Sequence, residues 1–119
     1  MVDWYGPISF AAMAGIKRME GVGIRLFGKS AEEAPGLYAQ SNPETHLSPK
    51  SPPILIQHGD QDSLVPFSQS AEFARKYRNA AGEAKVTLEC FQDADHLDEK
   101  FTTAANVERV IRFLDTYLK

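Results

Sequence analysis

An α/β layer fold, a short parallel sheet of about three strands with helices on its faces, is the architecture these 119 residues predict. Three observations carry it. Ile54 to Gln57 opens on an unbroken apolar run, Ile54-Leu55-Ile56, the mark of a strand covered on both faces. Lys85 to Phe91 alternates, with Val86, Leu88 and Cys90 on one side and Lys85, Thr87 and Glu89 on the other, so it reads as a half-exposed strand at a sheet edge. A helical pattern follows each strand, and the order strand, helix, strand, helix implies right-handed crossovers between parallel neighbours.

The remaining elements can be placed in order. Met1 to Tyr5 reads as a strand stopped by Gly6-Pro7, a pair that cannot continue a ladder. Residues 8 to 50 carry Gly15, Gly21, Gly23, Gly28, Pro35, Gly36, Pro43 and Pro49, which predicts short helices and loops. Ser51-Pro52-Pro53 forces an extended entry into the apolar run. Ser68 is placed to cap a helix running to about Ala81, with Ala71, Ala74, Tyr77 and Ala81 near helical spacing and Gly82 as its stop. From Thr103 onward Val107, Val110, Ile111, Leu114 and Leu118 form an apolar stripe that predicts a helix packed on a sheet face.

Composition narrows the function classes. The chain is a single domain, residues 1-119, with 43% hydrophobic and 24% charged residues and a formal net charge of -3. It lacks the basic excess that nucleic acid would attract. No apolar stretch approaches the twenty or so residues of a membrane span. Cys90 is the only cysteine, which leaves no internal disulfide and no thiolate cluster for zinc. A reducing, cytoplasmic setting is the expectation, and no signal peptide is visible.

The chemistry-bearing residues sit where the strands end. In open parallel sheets ligands bind beyond the carboxyl ends of the strands. His58-Gly59-Asp60-Gln61-Asp62 leaves one strand at that end, and Asp93-Ala94-Asp95-His96 leaves the next. A carboxylate placed this way can hold an imidazole in one tautomer and stabilise its charged form, as general-base catalysis requires. Taken alone, Asp60 and Asp62 would also suit a solvated strand-end turn, and His96 a surface loop.

With those residues in view, the sequence resembles the α/β-hydrolase superfamily, and within it the carboxylesterase and feruloyl-esterase-like branch. The resemblance rests on "VDWYGP" at Val2–Pro7, "LFGKSAEEAPGLYAQSNPETHLS" at Leu26–Ser48, "PPILIQHGDQDSLVPFSQS" at Pro52–Ser70 and "DADH" at Asp93–His96. It implies a partial α/β-hydrolase fold, the C-terminal portion of such a domain. In the family's G-x-x-D-x-x-V-P, here Gly59, Asp62, Val65 and Pro66, the aspartate is the triad acid, so Asp62 takes that role by resemblance. His96, after the last strand, becomes the general base. The family usually carries a small residue after this histidine, and Leu97 departs from that pattern. His58 is expected as a turn residue and His46 as a loop residue, neither catalytic.

The resemblance also implies a serine nucleophile on a G-x-S-x-G elbow, and no such elbow occurs in the 119 residues. The expectation is therefore the C-terminal part of a serine carboxylic-ester hydrolase, acting on a small-molecule ester in the complete protein without metal or cofactor, and inactive alone. Cys90, expected to be buried in its strand, has no reason to be a thiolate nucleophile. Ser63, Ser68 and Ser70 are expected in turns and caps. The sheet edge at Met1–Tyr5 predicts a homo-oligomer. Two alternatives stay open: a fragment of a prolyl-oligopeptidase-type serine peptidase, and a non-catalytic α/β interaction module.

Gly23 to Ser30 also satisfies G-x-x-x-x-G-K-[ST], the pattern of a phosphate-cradling loop. The stretch before it has no strand pattern and Pro35 cuts the following segment short, so a loop without nucleotide is expected.

Overall fold

The computed structural model describes residues 1–19 and 21–119; Glu20, in the segment expected to hold short helices and loops, lies outside the described residues. Three parallel strands, β1 (Val2–Trp4), β2 (Ile54–Gly59) and β3 (Val86–Phe91), lie in the order β1-β2-β3. Leu55 of β2 sits opposite Val2 on one side and Thr87 on the other. The central position of β2 explains its unbroken apolar start: every residue from Ile54 to Gly59 is buried. The edge position of β3 explains its alternation.

Helices α1 (Val22–Phe27) and α2 (Pro35–Ser41) occupy the breaker-rich segment, and α3 (Phe67–Ala81) and α4 (Ala104–Leu118) follow β2 and β3. The α3 face of the sheet forms the core, where Ile54, Ile56 and Val86 meet Phe73, Ala74 and Tyr77, with Ile8 closing the cluster. Full burial of one such aliphatic or aromatic side chain contributes about 2 kcal/mol. The buried stripe of α3 runs through Ser70, Phe73, Ala74 and Tyr77, with Ala71 left half-buried at its border.

The start of α3 differs from expectation. Pro66, not Ser68, occupies the capping position and no side chain caps the helix. The amide of Gln69 donates to Pro66 O at 2.9 Å, so that first-turn N–H is satisfied by backbone and not by a hydroxyl. Gly82 ends the helix, its φ of 106° belonging to glycine and its N–H donating to Arg78 O at 2.9 Å.

Helix α4 lies toward the other face. Asn106 is buried against Gln57, and Arg109 pairs with Glu89. The expected packing is partial, however. Val110, Phe113 and Leu114 are half-buried, but Val107 is 39% and Ile111 51% exposed. The predicted apolar stripe is wider than the surface this three-stranded sheet offers it. Cys90, expected to be buried, is exposed, because β3 is an edge and the covering of its outer positions is thin.

The phosphate-loop pattern resolves as a helix rather than the expected loop. Gly23 to Phe27 lie in α1 and Gly28 ends it with φ 76°. The amides of Arg25 and Gly28 donate to Gly21 O and Ile24 O, so they are committed to the helix and form no anion cradle.

Candidate active site

Asp62 sits in the turn between β2 and α3, with its side chain 0% exposed. Its carboxylate is completely tied. Oδ1 accepts the amides of Leu64 at 2.9 Å and Val65 at 2.7 Å, the local bonding that an aspartate in a tight turn supplies to its own backbone. Oδ2 faces two imidazoles, His96 Nδ1 at 2.8 Å and His58 Nε2 at 3.2 Å.

His96 follows β3 and is partly exposed. With Nδ1 donating to Asp62, Nε2 is the ring nitrogen that no other described residue engages in a hydrogen bond. A shallow depression of about 470 Å³, lined by Ser63, Leu64, Asp95, His96 and Leu97, borders the ring. The aromatic ring of Tyr5, at the end of β1, lies 4.5 Å from the imidazole and 4.6 Å from Phe101, walling the ring on that side. Phe101 in turn packs on Trp4 and Phe91. Each strand of the sheet thus delivers one group at its carboxyl end: Tyr5, Asp62 and His96.

Two carboxylates fasten the loops carrying Asp62 and His96 to each other. Asp60 Oδ1 accepts the amide of Asp93 at 2.8 Å, and Asp95 Oδ1 accepts the amide of Ser63 at 2.7 Å. Asp95 Oδ2 also accepts the Ser63 hydroxyl. Backbone bonds from Asp60 to Phe91 O and from Gln61 to Ala94 O close the joint. This approach is tight enough to require glycine at 59. A Cβ there would stand 2.7 Å from the carbonyl carbon of Ala94 and nearer still to its oxygen.

The residue after the histidine is informative. Leu97 has φ 64°, the left-handed region that glycine enters freely and leucine does not. The departure from a small residue at this position is therefore a local strain, with the leucine side chain 72% exposed.

Several residues stand elsewhere than the sequence reading put them. His58 is not a turn residue: it is the fifth residue of β2 and 0% exposed. Ser70 is no cap: it is buried in α3 with its hydroxyl 2.6 Å from His58 Nδ1. Ser63 lies in the turn, bonded to Asp95. His46 is remote in a short 3-10 turn, its Nε2 paired with Gln40 O. Cys90 is on the β3 edge, and burial together with the nearby Asp60 charge pushes its thiol up. Tyr5 and Asp95 were not singled out from sequence; the parallel register that sets Trp4 beside Gln57 is the signal that would have placed Tyr5 next to the site.

A parallel sheet with an acid and a histidine meeting beyond its strand ends, superposable on solved esterases over nearly its whole length, defines a portion of an α/β-hydrolase fold of the esterase kind. The BD-FAE family model matches residues 1–77, and the chain belongs to that family. It is 34% identical to esterase LipQ of Mycobacterium tuberculosis over 73 residues, 61% of this chain and 16% of LipQ. To the probable carboxylic ester hydrolase LipM of the same organism it is 36% identical over 52 residues, 44% of this chain and 12% of LipM. A truncated form of a carbohydrate esterase from gut microbiota superposes with a TM-score of 0.76 at 28% identity, covering 99% of this chain and 42% of that one. The chain therefore spans less than a fifth of these curated relatives and about two fifths of the solved esterase.

Proposed function

We propose that Asp62 and His96 are the acid and base of a serine carboxylic-ester hydrolase site whose nucleophile comes from residues outside these 119. The observation that carries the reading is the 2.8 Å contact between His96 Nδ1 and the fully buried Asp62 carboxylate. In this role Asp62 fixes the tautomer with the proton on Nδ1. Nε2 then takes the proton of a serine hydroxyl as it attacks the ester carbonyl, and returns it to the departing alkoxide. The Asp62 charge stabilises the imidazolium between the two transfers. The esterase relatives support a carboxylic ester of a small molecule as the substrate class.

The isolated chain offers no G-x-S-x-G and so no attacking atom for this route. It should hydrolyse a p-nitrophenyl ester at the background rate. Turnover that disappears in His96→Ala would overturn that incompleteness. In a longer chain that contains these residues and a G-x-S-x-G, His96→Ala and Asp62→Asn should each lower kcat by about 10⁴. Undiminished kcat in either variant would refute the assigned roles.

Self-association of the isolated chain through the β1 edge belongs to the same proposal. It is supported by the edge position of β1 in the sheet, where one row of backbone groups faces away from β2. Light scattering at rising concentration tests it, and a strictly monomeric species refutes it.

A further inference from the structure

A buried histidine in the middle of a hydrocarbon core calls for a reason. At position 58 the sheet faces α3, where Ile54, Ile56 and Phe73 pack, and an aliphatic side chain there would carry no desolvation cost. The imidazole instead makes three polar approaches while 0% exposed. Nδ1 meets Ser70 Oγ at 2.6 Å, and Nε2 meets Val65 O at 2.8 Å and Asp62 Oδ2 at 3.2 Å. Two acceptors at Nε2 mean that this nitrogen carries a proton. The Ser70 hydroxyl, itself fully buried, is free to rotate and satisfy Nδ1. The ring is further fixed edge-on to Phe67, with centroids 5.8 Å apart.

We infer that His58, held by Ser70, is a positioning residue for the Asp62–His96 pair. This rests on the catalytic reading of that pair given above. His58 lies on β2, Ser70 on α3, and Val65 and Asp62 on the connecting turn, so a single ring ties the turn to both elements it joins. Its Nε2–H donates to Val65 O, pinning the turn whose Leu64 and Val65 amides hold Asp62 Oδ1, and the same ring edge stands 3.2 Å from Asp62 Oδ2. With the turn amides pinned and the imidazole edge against Oδ2, the carboxylate is kept from rotating about its Cβ–Cγ bond and Oδ2 stays pointed at His96 Nδ1. The polar chain Ser70, His58, Asp62, His96 runs from the helix through the strand end to the site, with its first three side chains wholly buried.

The readout belongs to the pair itself and needs no activity. In proton NMR of the 119-residue chain, the hydrogen-bonded Nδ1–H of His96 should give a downfield signal that is lost in Asp62→Asn. Nitrogen-15 spectra should show His58 with its proton on Nε2. His58→Phe fills the volume without the donor, and His58→Gln restores a donor. Exchange of the His96 Nδ1–H with water should speed about tenfold or more in His58→Phe and be restored toward the parent rate in His58→Gln. Ser70→Ala should give a rise in the same direction, and it decides the matter if His58→Phe does not fold. A purely structural role would lower the melting temperature of these variants and leave the signal in place, and that result overturns the proposal. A parent signal indifferent to Asp62→Asn would overturn the pair and the positioning role together. Positioning would stand, and the catalytic reading fall, if the signal behaves as expected and a longer, elbow-bearing chain loses no turnover in His96→Ala.

Discussion

Gly59 is where the two halves of the site come closest, and a single methyl group there tests the account of how they are joined. In Gly59→Ala the new Cβ would stand 2.7 Å from Ala94 C and 2.9 Å from Ala94 Cβ. Carbon atoms rest at about 3.5 to 4.0 Å, so the overlap is roughly 1 Å and is directed at backbone rather than at a flexible side chain. Overpacking of this kind costs about 2 kcal/mol. Moving the 92–96 loop away also breaks the bond from Gln61 N to Ala94 O, worth about 1 kcal/mol more. The combined loss of about 3 kcal/mol should lower the melting temperature by roughly 12 °C for a domain of this size. The assay is thermal unfolding followed by circular dichroism, with the His96 Nδ1–H signal as a second probe, since the same displacement separates His96 from Asp62. Adding Ala94→Gly should not rescue the variant, because the carbonyl remains in the way. A Gly59→Ala protein melting within about 3 °C of the parent would refute the reasoning.

Leu97→Gly removes a left-handed leucine whose side chain is 72% exposed, and should leave stability unchanged or raise it by up to about 1 kcal/mol after glycine's own entropy is subtracted; a clear loss in chemical denaturation would mean that the leucine packs on something. Asn106→Leu strips Gln57 Oε1 and Phe101 O of a buried donor and should cost about 2 kcal/mol, part of which returns when Gln57→Leu is added; additive losses in that double variant would contradict the shared network. Burial holds the Asp3 carboxyl above the usual carboxylate range, partly offset by the Gly6 amide. Its raised folded value means a contribution present below the unfolded pKa and lost as pH rises through the folded one, so Asp3→Asn should melt higher than the parent at pH 7, with the gap closing by about pH 3. Cys90 is exposed yet its thiol is pushed up by burial and by Asp60, so iodoacetamide should label it more slowly at pH 7 than a free thiol, the rate climbing about tenfold per pH unit.

What could be read from sequence followed the range of the interactions involved. The hydrocarbon run of Ile54 to Ile56 announces a strand buried on both faces, and the alternation after Lys85 announces an edge, because each pattern is local. The strand-end placement of Asp62 and His96 was legible for a related reason, since parallel neighbours must end on the same side. Gln57 and His58 were harder. Polar residues after an apolar run look like the end of a strand, but Gln57 is satisfied by Glu89 and Asn106, 32 and 49 positions away, and His58 by Ser70 on the next helix. No periodicity carries such pairings. Pattern also overstated α4, where the stripe through Val107 and Ile111 fixes a helix but not how much sheet there is to cover it.

The contact between Asp62 and His96 joins residues 34 apart, with all of α3 and β3 between them. No hairpin or isolated helix in this chain can bring them together, and parallel pairings of this kind pay their loop-closure entropy before any contact repays it. The site should therefore be among the last features to assemble during refolding and among the first to dissolve on partial unfolding, which makes the His96 signal a clock for completion of the β2–α3–β3 unit.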